Sequence, residues 1–174
     1  MKIHLALALV LGLSGCALQP SLEDDRLSDR DLDIEKFFAG QTTAYGQFQD
    51  VFGNVSRRFS VDINGTWDGT TLTLVEDFVY EDDGTEQRVW TLEKTGEETW
   101  SGTAPGVVGK ANGEERGDTF YWTYTIDLPV GEGTTRVSFD DWMWLLAKDR
   151  VMNRAYMKKF GVRVGEVVIF FEKP

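Results

Sequence analysis

The chain has 174 residues, a formal net charge of −11, 13% aromatic residues and 18 glycines. This length suits a single domain with its own hydrophobic core. An acidic surface repels phosphate groups, which argues against nucleic acid as a partner and against a body that lies flat on anionic lipid without an anchor.

The first residues have the features of a secretory signal peptide. Lys2 and His4 precede an apolar run over residues 5–13. This run is too short to cross a bilayer as a helix, which takes ~20 apolar residues. A basic start, a short apolar segment and small residues at its end predict an exported protein.

The run ends in Leu13-Ser14-Gly15-Cys16, which resembles the signal of bacterial lipoproteins. The resemblance implies that residues 1–15 are removed and that Cys16 is lipidated and anchors the protein in a membrane. It also implies the periplasmic face of the outer membrane, because Ala17 stands where an aspartate retains such proteins at the inner membrane. An ordinary signal peptide with a chance cysteine is the alternative.

Processing at this site would limit the chemistry of the mature protein. Cys16 is the only cysteine and His4 the only histidine, so the mature chain would have no imidazole and no free thiol. Ser-His and Cys-His nucleophiles would be excluded, as would zinc, copper and haem sites built on these ligands. We therefore expect no metal and no cofactor.

Residues 16–36 are predicted to form an acidic tether between the lipidated cysteine and the body. Seven acidic side chains lie between Ala17 and Lys36, and such segments seldom pack. A short helix near Ile34–Phe38 is compatible with the pattern. A calcium role for the acids is the alternative, but no stretch has the spacing of an EF-hand loop.

The clearest strand runs from Phe120 to Leu128. Every second residue is large and apolar, and the residues between them are Thr123, Thr125 and Asp127, apart from Tyr121. Successive strand side chains point to opposite faces, so this pattern predicts a half-buried strand with an aromatic inner face. The inner residues are Phe120, Trp122, Tyr124, Ile126 and Leu128.

A hairpin upstream is predicted to carry opposite charges on its inner face. Its loop is expected over Asp82-Asp83-Gly84, with Gly84 in the left-handed conformation. Counting back from that loop pairs Phe78 with Arg88 and Glu76 with Trp90, which makes Glu76 and Arg88 diagonal neighbours. They form either a structural ion pair, or a site where Arg88 meets a ligand carboxylate or headgroup.

Three later stretches leave alternatives open. The glycine-rich segment 102–113 favours bulges and tight packing, with a pocket as the alternative. Residues 137–146 have apolar side chains on both faces, so their inward face is undecided, and Trp142 and Trp144 suit a core, a pocket or an exposed patch. Residues 151–160 are compatible with a strand or a short helix.

The whole pattern predicts an all-β domain over residues 37–174. Eight to ten strands separated by turns, with an apolar last strand that includes Val167, Ile169 and Phe171, suit a closed antiparallel up-and-down β-barrel. A β-sandwich is the alternative. An eight-stranded barrel can be filled by side chains or can hold one small ligand.

A set of short motifs resembles the proteobacterial lipoprotein family catalogued as domain of unknown function 3833, from Phe37 to Lys173. The motifs are Arg57-Arg58-Phe59, Glu76-Asp77-Phe78, Asp83-Gly84, Arg88-Val89-Trp90, Gly102-Thr103-Ala104, Val108-Gly109-Lys110-Ala111-Asn112-Gly113, Leu128-Pro129-Val130, Asp140-Asp141-Trp142-Met143, Asn153-Arg154 and Lys159-Phe160-Gly161. The resemblance implies a lipocalin-like barrel. The resemblance supplies no catalytic residue. Genes of this family often lie beside lipid-modifying genes, which implies a role that involves modified fatty acids or envelope lipids.

Three functions are compatible with the sequence. The first is a lipid-anchored binder or carrier of a small apolar molecule, such as a modified fatty acid or envelope lipid. The second is a non-enzymatic structural or interaction protein with a filled barrel. The third is an isomerase-type or cyclase-type enzyme that uses Glu76, Asp140, Asp141 or Tyr124 for proton transfer. The candidate ligand pocket consists of Glu76, Arg88, Trp90, Trp122, Tyr124 and Asp141.

Overall fold

The alternating apolar residues form ten strands and one short helix in a computed structural model, which describes residues 19–26, 28–131 and 133–174. The predicted signal peptide and Cys16 lie outside these residues. In chain order the elements are α1 (Ile34–Phe38), β1 (Gly40–Asp50), β2 (Val55–Trp67), β3 (Thr71–Tyr80), β4 (Thr85–Lys94), β5 (Thr99–Thr103), β6 (Ala111–Arg116), β7 (Thr119–Val130), β8 (Gly133–Ala147), β9 (Arg150–Lys159) and β10 (Val162–Glu172).

The ten strands close into one antiparallel barrel. Each strand pairs with its neighbours in sequence, and β1 also pairs with β10, for example Ala44 with Phe171. The predicted up-and-down, lipocalin-like barrel is therefore confirmed, and the β-sandwich alternative is wrong because the sheet closes on itself. The last strand is apolar on both faces and pairs on both sides, with β1 and β9, as its sequence predicted.

The aromatic face of β7 points into the barrel. Phe120, Trp122 and Ile126 are buried in the main apolar cluster, and Tyr124 and Leu128 pack against it. The prediction from the two-residue period is confirmed.

Strand β8 turns one of its two apolar faces inward. Phe139, Asp141 and Met143 face the interior, whereas Trp142 and Trp144 lie on the outer face. There, the ring centroid of Trp142 lies 4.4 Å from that of Tyr121 and 6.4 Å from that of Trp144. Stacking between neighbouring strands explains why this outer face is apolar.

Two further outcomes follow from the same alternation. Asp140, a candidate catalytic residue, lies on the outer face, where it accepts hydrogen bonds from Tyr121 Oη and Lys158 Nζ. It is therefore excluded from the interior, since side chains next to an inward Asp141 must point outward. The ambiguous stretch 151–160 is largely strand β9.

The hairpin loop between β3 and β4 has the predicted length of three residues, but it begins one residue earlier, at Glu81. Asp83, not Gly84, adopts the left-handed conformation, with φ of 60°, and its amide donates to the Tyr80 carbonyl oxygen at 3.0 Å. Aspartate tolerates this conformation better than most residues. The register shifts by two, so that Glu76 lies directly opposite Arg88 and Leu74 opposite Trp90.

Helix α1 and the chain before it close one end of the barrel. Leu32 and Ile34 retain only 2% and 1% exposure. The amide of Leu32 donates to the Gly117 carbonyl oxygen at 2.7 Å, and the amide of Ile34 donates to Glu115 Oε1 at 2.8 Å. Lys94 Nζ pairs with Glu35 Oε1 at 2.7 Å.

The predicted helix at Ile34–Phe38 is confirmed, but the tether predicted over residues 16–36 is wrong in its second half. The barrel already holds this segment at Glu23, which pairs with Arg116, and again at Ser28, whose amide donates to Asp118 Oδ2 at 2.9 Å. The segment packs there because two apolar side chains within the acidic run, Leu32 and Ile34, are buried against this end of the barrel. We call this end the closed end. The opposite end, where β1, β3, β7 and β9 finish, is the mouth.

Two glycines in the glycine-rich segment allow close packing on the β7 rings. A Cβ atom at Gly102 or Gly113 would overlap the Trp122 ring, and one at Gly113 would also overlap Phe120. Tight packing, rather than a pocket in the segment itself, accounts for these two positions. Among the described residues, no helix is long and apolar enough to cross a membrane.

We predict that Gly113→Ala lowers the free energy of unfolding by about 1–3 kcal/mol, because the added methyl group displaces buried aromatic rings. The measurement is urea denaturation of the full chain. Gly84→Ala is the matched control, since a Cβ there meets only the ends of the Asp82 and Arg57 side chains. An equal loss in both variants would contradict the packing role of Gly113.

Candidate functional site

The barrel encloses a cavity of about 560 Å³. Ile34 and Phe38 line it at the closed end, and Gly84 and Pro129 line it at the mouth. Its volume falls within the range of small-molecule sites, ~300–1,000 Å³. The cavity therefore has room for one small molecule and extends from the closed end to the mouth of the barrel.

Aromatic rings form much of the cavity wall. The ring of Trp90 lies 5.8 Å from that of Trp122 and 5.2 Å from that of Tyr124, both edge-on. Tyr124 in turn stacks on Phe139 at 5.1 Å. Such contacts hold the rings in fixed positions. The wall is thus a stiff apolar surface.

One side of the cavity carries a charged group of residues from β3 and β4. Arg88 Nη2 donates to Glu86 Oε1 at 2.7 Å, and Tyr80 Oη donates to Glu86 Oε2 at 2.9 Å. Glu76 is the cross-strand neighbour of Arg88. The guanidinium therefore faces two carboxylates of its own chain.

A second polar group comes from β8 and β9. Asn153 Nδ2 donates to Asp141 Oδ1 and, at 3.0 Å, to the Trp142 carbonyl oxygen. Both side chains are buried and line the cavity. Asn153 Oδ1 has no hydrogen-bond partner among the described residues. This unpaired acceptor would gain from a ligand that carries a donor.

Burial changes the acidity of the groups in the cavity. It raises the pKa of Glu76 to about 7, outweighing the opposing attraction of Arg88. Burial also raises the pKa of Asp141 to about 7, against the hydrogen bond from Asn153. For Tyr124, burial and then the Asp141 carboxylate raise the pKa of the phenol.

Arg88 and Glu86 stay charged. Burial lowers the pKa of Arg88, but the negative charges of Glu76 and Glu86 outweigh this effect and raise the pKa above its ordinary value. Burial raises the pKa of Glu86, but the positive charge of Arg88 outweighs this effect and lowers the pKa below its ordinary value. Near neutral pH the cavity thus holds one ion pair and two carboxyl groups, Glu76 and Asp141, that can each gain or lose a proton as a ligand requires.

The structure brings all the predicted pocket residues together. Glu76, Arg88, Trp90, Trp122, Tyr124 and Asp141 all line this one cavity. The sequence analysis missed Asn153, Glu86 and Tyr80. Tyr80 was recognisable from its place on the inner face of β3, but the ambiguous pattern of β9 gave no sign of Asn153. In the part of the chain that the structure describes, no group of three or more acidic, histidine or cysteine side chains is placed to hold a metal ion.

We predict that Glu76→Gln and Asp141→Asn remove a pH dependence of stability. Each carboxyl binds its proton more tightly in the folded protein than in the unfolded chain. Its contribution to the free energy of unfolding is therefore present below about pH 4 and is lost as the pH rises to about 7, on the order of 3 kcal/mol for each group.

The measurement is urea denaturation at pH 4.5 and pH 7.5. Each variant should gain stability relative to the unsubstituted protein between the two values. Asp77→Asn, on the outer face of β3, is the control and should show no such gain. A difference between variant and unsubstituted protein that stays constant with pH would contradict the raised pKa values.

Comparison with solved structures supports the fold. The S-type phycobiliprotein lyase CPES from Guillardia theta matches with a TM-score of 0.57, covering 82% of this chain and 94% of that chain at 11% identity. The structure of EF1p2_mFAP2b bound to DFHBI matches with a TM-score of 0.44 at 8% identity, covering 80% and 95% of the two chains. The first likeness shows a shared fold, and the second is too distant to add to it.

Comparison of the sequence identifies the family. No curated protein matches the chain. The family described as "Protein of unknown function (DUF3833)" matches over residues 10–173, which is most of the chain. This match confirms the family resemblance expected from the short motifs, and the chain belongs to the family of proteins of unknown function DUF3833.

Proposed function

We propose that this protein binds a small, mainly apolar molecule inside its barrel. The observation that carries the proposal is the cavity of about 560 Å³, with an aromatic wall and a few buried polar groups. This combination is typical of small-molecule sites, in which the apolar wall supplies affinity and the polar groups fix orientation. The filled barrel that the structural or interaction alternative requires does not agree with such a cavity.

The charges in the cavity favour a ligand whose polar group is neutral or cationic. Arg88 is already bonded to Glu86 and faces Glu76, so a ligand carboxylate would have to displace one of them. It would also meet Asp141, another acidic group of the cavity. A hydroxyl or ammonium group, by contrast, can donate to Glu76, to Asp141 or to the unpaired oxygen of Asn153. Acyl chains with such a headgroup fit better than free fatty acids.

A second function, acid–base catalysis on the bound molecule, is favoured by one observation. Glu76 and Asp141 have pKa values of about 7 in the same cavity, where a general acid and a general base are effective. An ionised carboxylate would remove a proton from the substrate while the other, protonated carboxyl returns one elsewhere. The bound molecule would then be isomerised without a co-reactant. Recovery of a chemically changed ligand would distinguish this function from simple binding.

We also propose that the protein is a lipoprotein of the outer membrane, held by acyl chains on Cys16. The support is the Leu-Ser-Gly-Cys motif after a short apolar run. Cells that express the full chain should incorporate labelled palmitate into the protein, and Cys16→Ser should abolish the label. Labelling that survives this substitution would contradict the proposal, as would recovery of the labelled protein in the inner membrane.

We predict that the cavity binds dodecylamine and dodecanol at least tenfold more tightly than laurate, since only the carboxylate adds an unbalanced negative charge. The measurement is displacement of a fluorescent apolar probe from the full chain. The advantage of the amine should grow from pH 6 to pH 8, because Glu76 and Asp141 ionise in that interval.

Glu76→Gln and Asp141→Asn should each reduce this pH dependence. Asp77→Asn, which removes an outward carboxylate of the same strand, should leave it unchanged and so excludes binding of the amine to the acidic surface. Laurate that binds as tightly as the amine would refute the preference, and failure of every probe and competitor to bind would refute the proposed function itself.

A further inference from the structure

Large apolar side chains are exposed at the mouth of the barrel. Phe52, in the turn between β1 and β2, is 87% exposed, and Phe160, in the turn between β9 and β10, is 94% exposed. Four valines around them are also exposed. We call this group the apolar rim, and it consists of Val51, Phe52, Val55, Phe160, Val162 and Val164.

The two turns of the apolar rim are neighbours in space because the barrel closes between their strands. β1 pairs with β10 as far as Asp50, whose partner is Gly165. The chain then enters the turn with Phe52 beside the first residues of β10. Both aromatic side chains therefore project from one sector of the mouth, although more than a hundred residues separate them in sequence.

The charges on the second turn differ from those of the protein as a whole. The chain carries a net charge of −11, but residues 157–164 contain Lys158, Lys159 and Arg163 and no acid. Lys158 pairs with Asp140, and Arg163 pairs with Glu166. The ammonium group of Lys159 lies 5.8 Å from the centre of the Phe160 ring, so a cation accompanies the most exposed aromatic side chain.

We infer that the apolar rim docks on a phospholipid bilayer, with Phe52 and Phe160 inserted at the boundary of headgroups and acyl chains and Lys159 at the level of the phosphates. Aromatic and aliphatic residues next to a long basic side chain are the usual composition of such interfacial contacts. The acidic turn of residues 81–83 adjoins the turn that carries Phe52, because β2 pairs with β3 as far as Tyr80, and Asp82 in this turn pairs with Arg57. The lipid contact would therefore tilt toward the Phe160 side of the mouth.

A bilayer fits this surface better than a protein partner does. A stable protein interface buries ~800 Å² on each partner and needs a continuous, well-packed patch. Two rings on separate turn tips give a narrow, protruding contact, which a fluid lipid surface can accommodate. The docked sector also borders the cavity, since Phe48 at the end of β1 lines it. An apolar ligand could then pass between lipid and cavity with little exposure to water.

The test asks which end of the barrel touches lipid, so it does not depend on how the chain is held at the vesicle. In the full chain with Cys16→Ser, a single cysteine replaces Val162 on the apolar rim or Glu97 in the β4–β5 turn of the closed end, and carries a bimane label. Vesicles of phosphatidylethanolamine and phosphatidylglycerol in a 3:1 ratio contain spin-labelled lipid as the quencher. We expect at least fivefold stronger quenching at position 162 than at position 97.

The variant Phe52→Ser/Phe160→Ser should reduce the quenching at position 162 to that at position 97. Leu146→Ser, which removes an exposed apolar side chain near the closed end, is the matched control and should have no effect. These positions are exposed, so the fold should survive, and thermal unfolding checks that it does. Equal quenching at both ends, stronger quenching at position 97, or quenching that the double variant does not change would overturn the inference.

Discussion

The pairing of β1 with β10 is the contact on which the rest of this structure depends. It joins the first and last strands and so turns an open sheet, with two unpaired edges, into a barrel with an interior. It also places the turns that carry Phe52 and Phe160 side by side. The enclosed cavity, the burial of its polar groups and the apolar rim all depend on this pairing of the first and last strands.

A closed barrel leaves the inward polar residues without bulk water, and this protein compensates for only some of them. Glu86 and Arg88 pair, and Asn153 bonds Asp141, but Glu76 and Asp141 still lose more from burial than their partners return. Retaining such groups costs stability, which a purely structural barrel has no reason to accept. Their position in the barrel cavity links that cost to a ligand.

Much of the fold could be predicted from the two-residue period of apolar side chains. The period identified the inner face of β7 and placed Glu76, Arg88, Trp90, Trp122 and Tyr124 on inward positions, because strand alternation is a local property. It failed where both faces are apolar, as in β8, since Trp142 is buried by its neighbours on the outside of the barrel.

Other features depended on contacts that no local pattern reports. The register of β3 and β4 was wrong because one aspartate took the left-handed position that a glycine next to it could equally have filled. The acidic run around Leu32 and Ile34 predicts a solvated segment, because the end of the barrel that buries these two side chains is formed by strands distant in sequence. The pKa values of Glu76 and Asp141 arise from burial within a lumen, which exists only after the sheet has closed.

The packing of residues 28–38 at the closed end sets the direction in which the barrel points. The chain from Cys16 to Ser28 can extend at most ~40 Å, at ~3.3–3.6 Å for each residue. A 15-residue strand such as β8 is ~50 Å long, and because it is tilted the barrel itself is shorter than that. Fully extended, the segment from Cys16 to Ser28 is therefore about as long as the barrel is tall. With an acylated Cys16, the apolar rim would therefore reach the same bilayer only when residues 16–27 lie extended along the barrel wall, so docking of the mouth would require the surface pair between Glu23 and Arg116 to open.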